Sequence, residues 1–344
     1  MKSILEKIKR VSDEVSKKVK KISDKFSKLP GWQRVLIYLI AAALLPLIIS
    51  NGYVVHILIL LGVYLVLGTS LNLITGVTGE LDLGHAAFFG LGAYASSLFA
   101  QKIFDSFWLG ILAAFLFSML CGILLGIPSL RIRGDYLAIV TMGFNEIVRY
   151  VMINWQEVTN GPLGVSKIHT PKLFGFDLGT KQFMFYLIAI IMLITYVVIR
   201  RITISKTGRA LVAVRENEIA ATSLGIKTGY YKIVAFAVSA AFAGVAGSFY
   251  AHYMSFINPN NFTTNDSITI LCMVVIGGKG SLLGTIVGVA TLYLLPEVLR
   301  SLESYRMLIY GIMIVIMMIY RPKGFCPEKR VPERMEIKHG NSEN

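Results

Sequence analysis

Charge is scarce in this chain. Only 16% of its 344 residues are charged, against roughly a quarter in a soluble domain. With 55% hydrophobic residues and a mean hydropathy of +0.64, this excludes an ordinary soluble globule with a large core. Cysteine is scarcer still. Cys121 and Cys272 lie in apolar runs and Cys326 in the C-terminal tail, with no CxxC, so neither a disulfide framework nor a metal site follows. Short alternating strands of barrel type are missing, which leaves helices as the way to span a membrane. HExxH and GxSxG are absent, and His85 and His252 have no neighbours at metal-ligand spacing, so catalysis and metal binding are not expected. A phosphate-cradling GxxxxGK[ST] is absent too. "IGGKGS" (Ile276 to Ser281) puts Gly280 between Lys279 and Ser281 and lacks the earlier glycine, so this chain should not hydrolyse ATP.

Long uncharged runs are what the sequence does have, such as "VLIYLIAAALLPLIIS" (Val35 to Ser50) and "LIAIIMLITYVVI" (Leu187 to Ile199). Spans are expected near 35–50, 54–74, 83–100, 107–127, 135–153, 182–200, 232–250, 267–277, 281–299 and 307–320. The fold class that follows is all-α, a polytopic transmembrane bundle of about ten helices. The net charge of +14 is uneven. Residues 1–34 hold 11 Lys/Arg against 4 Asp/Glu, residues 200–232 hold 7 against 2, and residues 321–344 hold 6 against 4. Basic residues collect on the cytoplasmic side. These three pieces, and with them both termini, are therefore expected inside. The nearly neutral stretches 154–181 and 251–266 fall outside. No basic patch is interleaved with base-stacking aromatics, so nucleic acid is not an expected partner. The charged first 34 residues and the lack of a small-residue cleavage pattern argue against a cleavable leader.

Ile4, Ile8, Val11, Val15, Val19, Ile22, Phe26 and Leu29 form a helical stripe opposite a lysine-rich face. Residues 1–30 are thus expected to form a basic amphipathic helix on the inner leaflet, or a coiled coil with a partner, ended by Pro30–Gly31. Two spans are irregular. Residues 267–277 are too few to cross ~30 Å at 1.5 Å per residue, and "GGKGS" follows at once. "TGVTGELDLGHAAFFGLGAY" (Thr75 to Tyr94) mixes Glu80, Asp82 and His85 with five glycines. Irregular backbone at membrane depth needs surrounding protein or a water-filled cavity. The two stretches mark a transport path or close helix packing through small residues. Asn72, Thr141 and Asn145 line that path or bond between helices. Glu146 and Arg149 are three apart and read as an intrahelical pair.

Between the spans near 182–200 and 232–250 lies "KTGRALVAVRENEIAATSLGIKTG" (Lys206 to Gly229), too polar for lipid yet helical in pattern. Thr207 reads as the first cap, Asn217 as a second with Glu218 at the first helical position, and Gly225 as the C-terminal stop. Two short helices with a bend near Asn217 are expected, resting on a partner surface.

"GRALVAVRENEIAATSLGI" resembles the coupling loop of ABC importer permeases of the branched-chain amino acid (LIV) type. "GELDLGHAAFFGLGAY", "RGDYLAIVTMGFNEIVRYVMINWQEVTNGPLGV", "YYKIVAFAVSAAFAGVAGSFYAHY" and "VIGGKGSLLGTIVGVA" extend the resemblance over most of residues 54–325. The motif "GELDLGHAAFFGLGAY" has Asp82 where the family commonly has serine, and the block from Arg133 favours a LivM-like over a LivH-like subunit. The resemblance implies a permease of an ABC importer in a bacterial inner membrane. It would carry branched-chain amino acids or related small solutes, without covalent chemistry. The implied partners are two cytoplasmic ATPases holding ATP and Mg, a LivH-like permease and an extracytoplasmic binding protein. The transmembrane domain would run over 31–322, with a coupling segment at 206–226 and a cytoplasmic tail at 323–344. In the coupling segment, Gly208, Arg209, Leu211, Arg215, Glu216, Glu218, Ala220, Leu224 and Gly225 are expected to meet an ATPase, the polar ones around an apolar centre of Leu211, Ala220 and Leu224. Asn72, Glu80, His85, Thr141, Asn145, Gly277 and Gly278 are the candidates for the path. An ion-coupled transporter acting alone is the alternative that the buried acids Glu80 and Glu146 keep open.

Overall fold

A computed structural model of the chain describes residues 51–298 apart from 105, 131, 133, 174–175 and 178, together with 311–312, 315, 319 and 324–326. The helix expected at 1–30, the span near 35–50, most of the span near 307–320 and most of the tail lie outside the described residues.

The main helices are α1 (Gly52–Asn72), α2 (His85–Lys102), α3 (Phe107–Gly126), α4 (Asp135–Asn154), α5 (Lys181–Ile204), α6 (Lys206–Glu216), α7 (Glu218–Ser223), α8 (Thr228–Met254), α9 (Thr264–Gly277) and α10 (Leu282–Val298). A π-helical stretch, Leu73–Thr78, extends α1. Among the described residues, α1 with this extension, α3, α4, α5 and α8 are long and apolar enough to cross a membrane. The 14 residues of α9 reach about 21 Å, short of the hydrocarbon thickness. α9 packs against α10, so the expected spans at 267–277 and 281–299 are two arms of one hairpin.

α8 forms the middle of the bundle, packed on α2 and α3. Its run of Ala, Gly and Ser explains the position, because small side chains let helix backbones approach. A Cβ on Gly92 of α2 would collide with the backbone of Gly244, and one on Gly247 with the carbonyl of Phe89. Ser248 donates to Ser96 across the same seam at 2.7 Å. On the outer side of α3, Trp108, Leu112, Leu116, Leu120 and Leu124 are exposed, as are Tyr136, Ile139 and Ile147 of α4. Such broad apolar surface suits lipid or another spanning chain.

The two ends of the bundle differ. At one end Val165–Ser166 pairs antiparallel with Phe256–Ile257, which joins the two neutral stretches expected to share a side. Lys181 there donates to the carbonyl of Gly52 at 3.3 Å. At the opposite end sit α6, α7, the start of α8, the α3–α4 connection and the α9–α10 turn. Gly280 of that turn donates its N–H to Asn72, away from the helical carbonyl of Ile276. The carbonyls of Ile276 and Gly277 instead accept from Phe325 and Cys326 at 2.9 and 3.0 Å.

The α2–α8 seam makes a direct prediction. Gly247→Val should abolish monodisperse protein in mild detergent, because the side chain meets backbone and has nowhere to move. Gly143→Ala, with open space around it, should stabilise α4 by up to about 1 kcal/mol in thermal unfolding.

Candidate functional site

The polar segment between α5 and α8 folds as two short helices bent at Asn217. Ser205, not Thr207, caps α6: its side chain accepts from the N–H of Thr207 at 3.1 Å. Thr207 was the sequence choice, but α5 runs to Ile204 and leaves Ser205 extended at the junction. Asn217 caps α7, accepting from Ala220 at 3.0 Å, and Glu218 opens that helix. Gly225 takes φ +81° just beyond it, a left-handed stop that glycine adopts without strain.

α6 turns one face to the bundle. Gly208, Ala210, Leu211 and Val214 are buried, and Leu211 packs with Leu73, Val77, Ile199, Ala235 and Phe242. A Cβ on Gly208 would collide with the carbonyl of Thr203, so its place in the set reflects a tight corner and not docking. Leu211 is likewise removed from the outward apolar centre expected for it: its periodicity with Val214 builds an inner face. The outward apolar surface is formed by Ile219 (70% exposed) and Leu224 (82% exposed), with Ala220 beside them. Ile219 was missed, although it lies five positions before Leu224 in the same apolar pattern. Arg209 is exposed and reaches the carbonyl of Ile204 at 3.3 Å, while exposed Glu216 pairs with Arg215 at 3.3 Å.

Arg215 and Glu218 also turn inward. Arg215 donates to the carbonyl of Gly76 at 2.6 Å, and its stem lies over Gly79. Glu218 Oε2 lies 3.0 Å from the ammonium of Lys232, which is fully buried and 2.6 Å from Glu80 Oε1. Burying an ammonium is tolerated only with such partners. Lys232 was missed because a lysine opening an apolar helix reads as an interface residue. Its partners stand 14 and 152 positions away, and no local signal names them.

A second polar group lies deeper, where α1, α2, α4 and α9 meet. His85 contacts Ser70 at 2.9 Å through Nε2 and Asp82 at 3.3 Å through Nδ1, all three fully buried. Ser70 donates to the carbonyl of Leu67, so the ring nitrogen facing Ser70 is the donor. The other ring nitrogen faces the Asp82 carboxylate, whose second oxygen accepts from the N–H of Gly84 at 2.8 Å. Thr141 accepts from Leu83, and Asn145 donates to Thr264 at 3.1 Å. Thr264 donates to Glu146, which holds Arg149 at 2.9 Å as the spacing indicated. Asn72 accepts from Gly280, tying the two irregular stretches together. Gly277 lies against Gly284 so closely that a Cβ would strike its carbonyl, and Gly278 turns at φ +121°. The structure thus gathers Asn72 with the Gly277–Gly278 turn, and His85 with Asp82. It puts Glu80 apart from both, at the α6–α7 end with Lys232. Among the described residues no cluster of His, Cys, Asp and Glu could hold a metal.

Residues 53–318 match the family described as the permease component of branched-chain amino acid transport systems. The chain is 38% identical over 325 residues to the high-affinity branched-chain amino acid permease protein LivM of Escherichia coli K12, covering 88% of this chain and 76% of the relative. It is 26% identical over 299 residues to a probable LivM permease of Methanocaldococcus jannaschii, covering 77% and 86%. LivH of Salmonella typhimurium is 23% identical over 294 residues, covering 78% and 92%. No solved structure matches the chain.

The buried acid–histidine pair can be tested by a double-mutant cycle. His85→Ala should destabilise the detergent-solubilised chain by about 1–3 kcal/mol, because it removes the ring from beside the buried Ser70 hydroxyl and Asp82 carboxylate. Adding Asp82→Ser should return part of that loss in the same thermal-shift measurement.

Proposed function

We propose that this chain, which belongs to the permease family of branched-chain amino acid transport systems, lines half of a path for branched-chain amino acids or related small solutes. It is a multi-pass membrane protein and the permease of an ABC importer, a transport subunit and not an enzyme. The observation that carries the finer reading is the α6–α7 pair. It is anchored by Leu211, Arg215 and Glu218 to the bundle while it presents Ile219, Ala220 and Leu224 outward.

Two ATPase subunits would dock there, holding ATP and Mg. A LivH-like permease would complete the path, and an extracytoplasmic binding protein would deliver solute to the Val165–Ile257 end. Arg200, Arg201, Lys206, Arg209, Arg215 and Lys227 gather at the α6–α7 end, which supports a cytoplasmic placement for it and, by the same rule, for both termini. The transmembrane domain would run over residues 31–322, with its α6–α7 pair outside the lipid on the cytoplasmic side, where 1–30 and 323–344 would also lie. His85, Thr141 and Asn145 supply polar side chains at the meeting of α1, α2, α4 and α9, where a zwitterion would need partners in place of water. Asn72, with Gly277 and Gly278, would serve the path at the α9–α10 turn. Glu80 belongs to the anchor of the coupling segment. Alternating access would follow when nucleotide-driven closure of the ATPases moves α6 and α7 relative to the bundle.

The docking face is tested at Ile219 and Leu224, since Glu218 faces inward. Ile219→Asp with Leu224→Asp should release the ATPases from the purified complex and abolish ATP-driven uptake while the permease itself unfolds at an unchanged temperature. A chain that purifies alone from its host after crosslinking, or uptake that collapses with the ion gradient while ATP is full, would instead favour a secondary transporter.

A further inference from the structure

Lys232 is a fully buried ammonium held between two carboxylates from different parts of the chain. Glu218 belongs to the first turn of α7, on the coupling segment. Glu80 belongs to the connection between the π-helical stretch and α2, five residues before His85. Lys232 itself sits in the second turn of the central helix α8. Both carboxylate side chains are nearly buried, at 10% and 14% exposure. Rigid packing of α6 against α8 is already supplied by Leu211 and its apolar neighbours, so the fold does not need a costly buried ion here to hold α6 down.

We propose that Lys232 is the positioning residue that transmits displacement of the coupling segment to the start of α2. The physical basis is stiffness. If α7 moved while Lys232 stayed with Glu80 alone, Glu218 would be stripped of a partner in a dry site, and the ammonium would lose half its compensation. The lower-energy course is for Glu80 and α2 to follow. Arg215 adds a parallel link, since its bond to Gly76 ties α6 to the π-helical stretch. Gly76 in turn lies against Gly280, and the same Gly280 N–H is held by Asn72. A shift of α6–α7 therefore reaches both the His85 region and the α9–α10 turn through polar contacts, while lipid-facing α3 makes none of them.

This inference rests on the importer reading, and one experiment separates the two. The full complex, with its ATPases, second permease and binding protein, is reconstituted in liposomes, and tritiated leucine uptake and ATP hydrolysis are measured together. For Lys232→Met we expect leucine moved per ATP to fall about tenfold while hydrolysis and ATPase retention stay near wild type. Lys232→Arg should recover most of the ratio, because it keeps the charge and the two partners. Should Lys232→Met fail to assemble, Glu80→Gln and Glu218→Gln decide, since both keep the shape and a hydrogen-bond acceptor. Each should lower the ratio about fivefold. Uptake and hydrolysis falling in parallel, or an unchanged ratio in all variants, would overturn the latch and leave the importer reading standing. A wild-type complex that moves no leucine with ATP present would overturn both.

Discussion

Everything in this bundle depends on α8 being narrow. Lipid tails offer no hydrophobic gain to helices that leave them, so association must come from close backbone approach and from polar contacts. The Ala, Gly and Ser faces of α8 allow α2 and α3 to come within collision distance of any larger residue at Gly92, Gly244 and Gly247. That approach brings Ser96, Ser248 and His252 into one buried hydrogen-bonded group. It also sets the bulky residues on the remote sides of α3 and α4, where the apolar surface is left uncovered. Size sorting across helix faces thus replaces the inside–outside sorting of a soluble protein.

Among the described residues, the spans and the polar helix pair between α5 and α8 were legible because their signals are local. Apolar runs gave helices whose ends agree within a few residues, the two neutral stretches share an end, and Asn217 and Gly225 act as their side chains dictate. The misreadings share one cause. Leu211, Gly208, Arg215 and Glu218 lie on an amphipathic pair whose two faces look alike in sequence. Which face turns inward depends on partners in other elements, Gly76 for Arg215 and Lys232 for Glu218 among them. Lys232 hid for the same reason. A buried ion is defined by what surrounds it, and its surroundings come from three separate pieces of chain.

The deeper polar group shows a different limit. Asp82, His85, Thr141 and Asn145 were visible as polar residues in apolar spans, and the cost of burying them implied partners. The partners themselves, Ser70, Leu83 and Thr264, are ordinary residues in the sequence. Serine at position 82 would leave the histidine with a neutral neighbour. Aspartate gives this chain a buried acid beside it at the same helix crossing.

The α9–α10 turn carries a consequence for biosynthesis. Asn72 takes the N–H of Gly280 that would otherwise serve the carbonyl of Ile276, and that carbonyl and its neighbour accept from Phe325 and Cys326. One half of the turn is therefore completed by a residue made before it and the other by residues made well after it. The ribosome has made both arms of the hairpin before the donors Phe325 and Cys326 emerge. Insertion of the hairpin and its locking are separate events in time, and the turn keeps open carbonyls until Phe325 and Cys326 have been made.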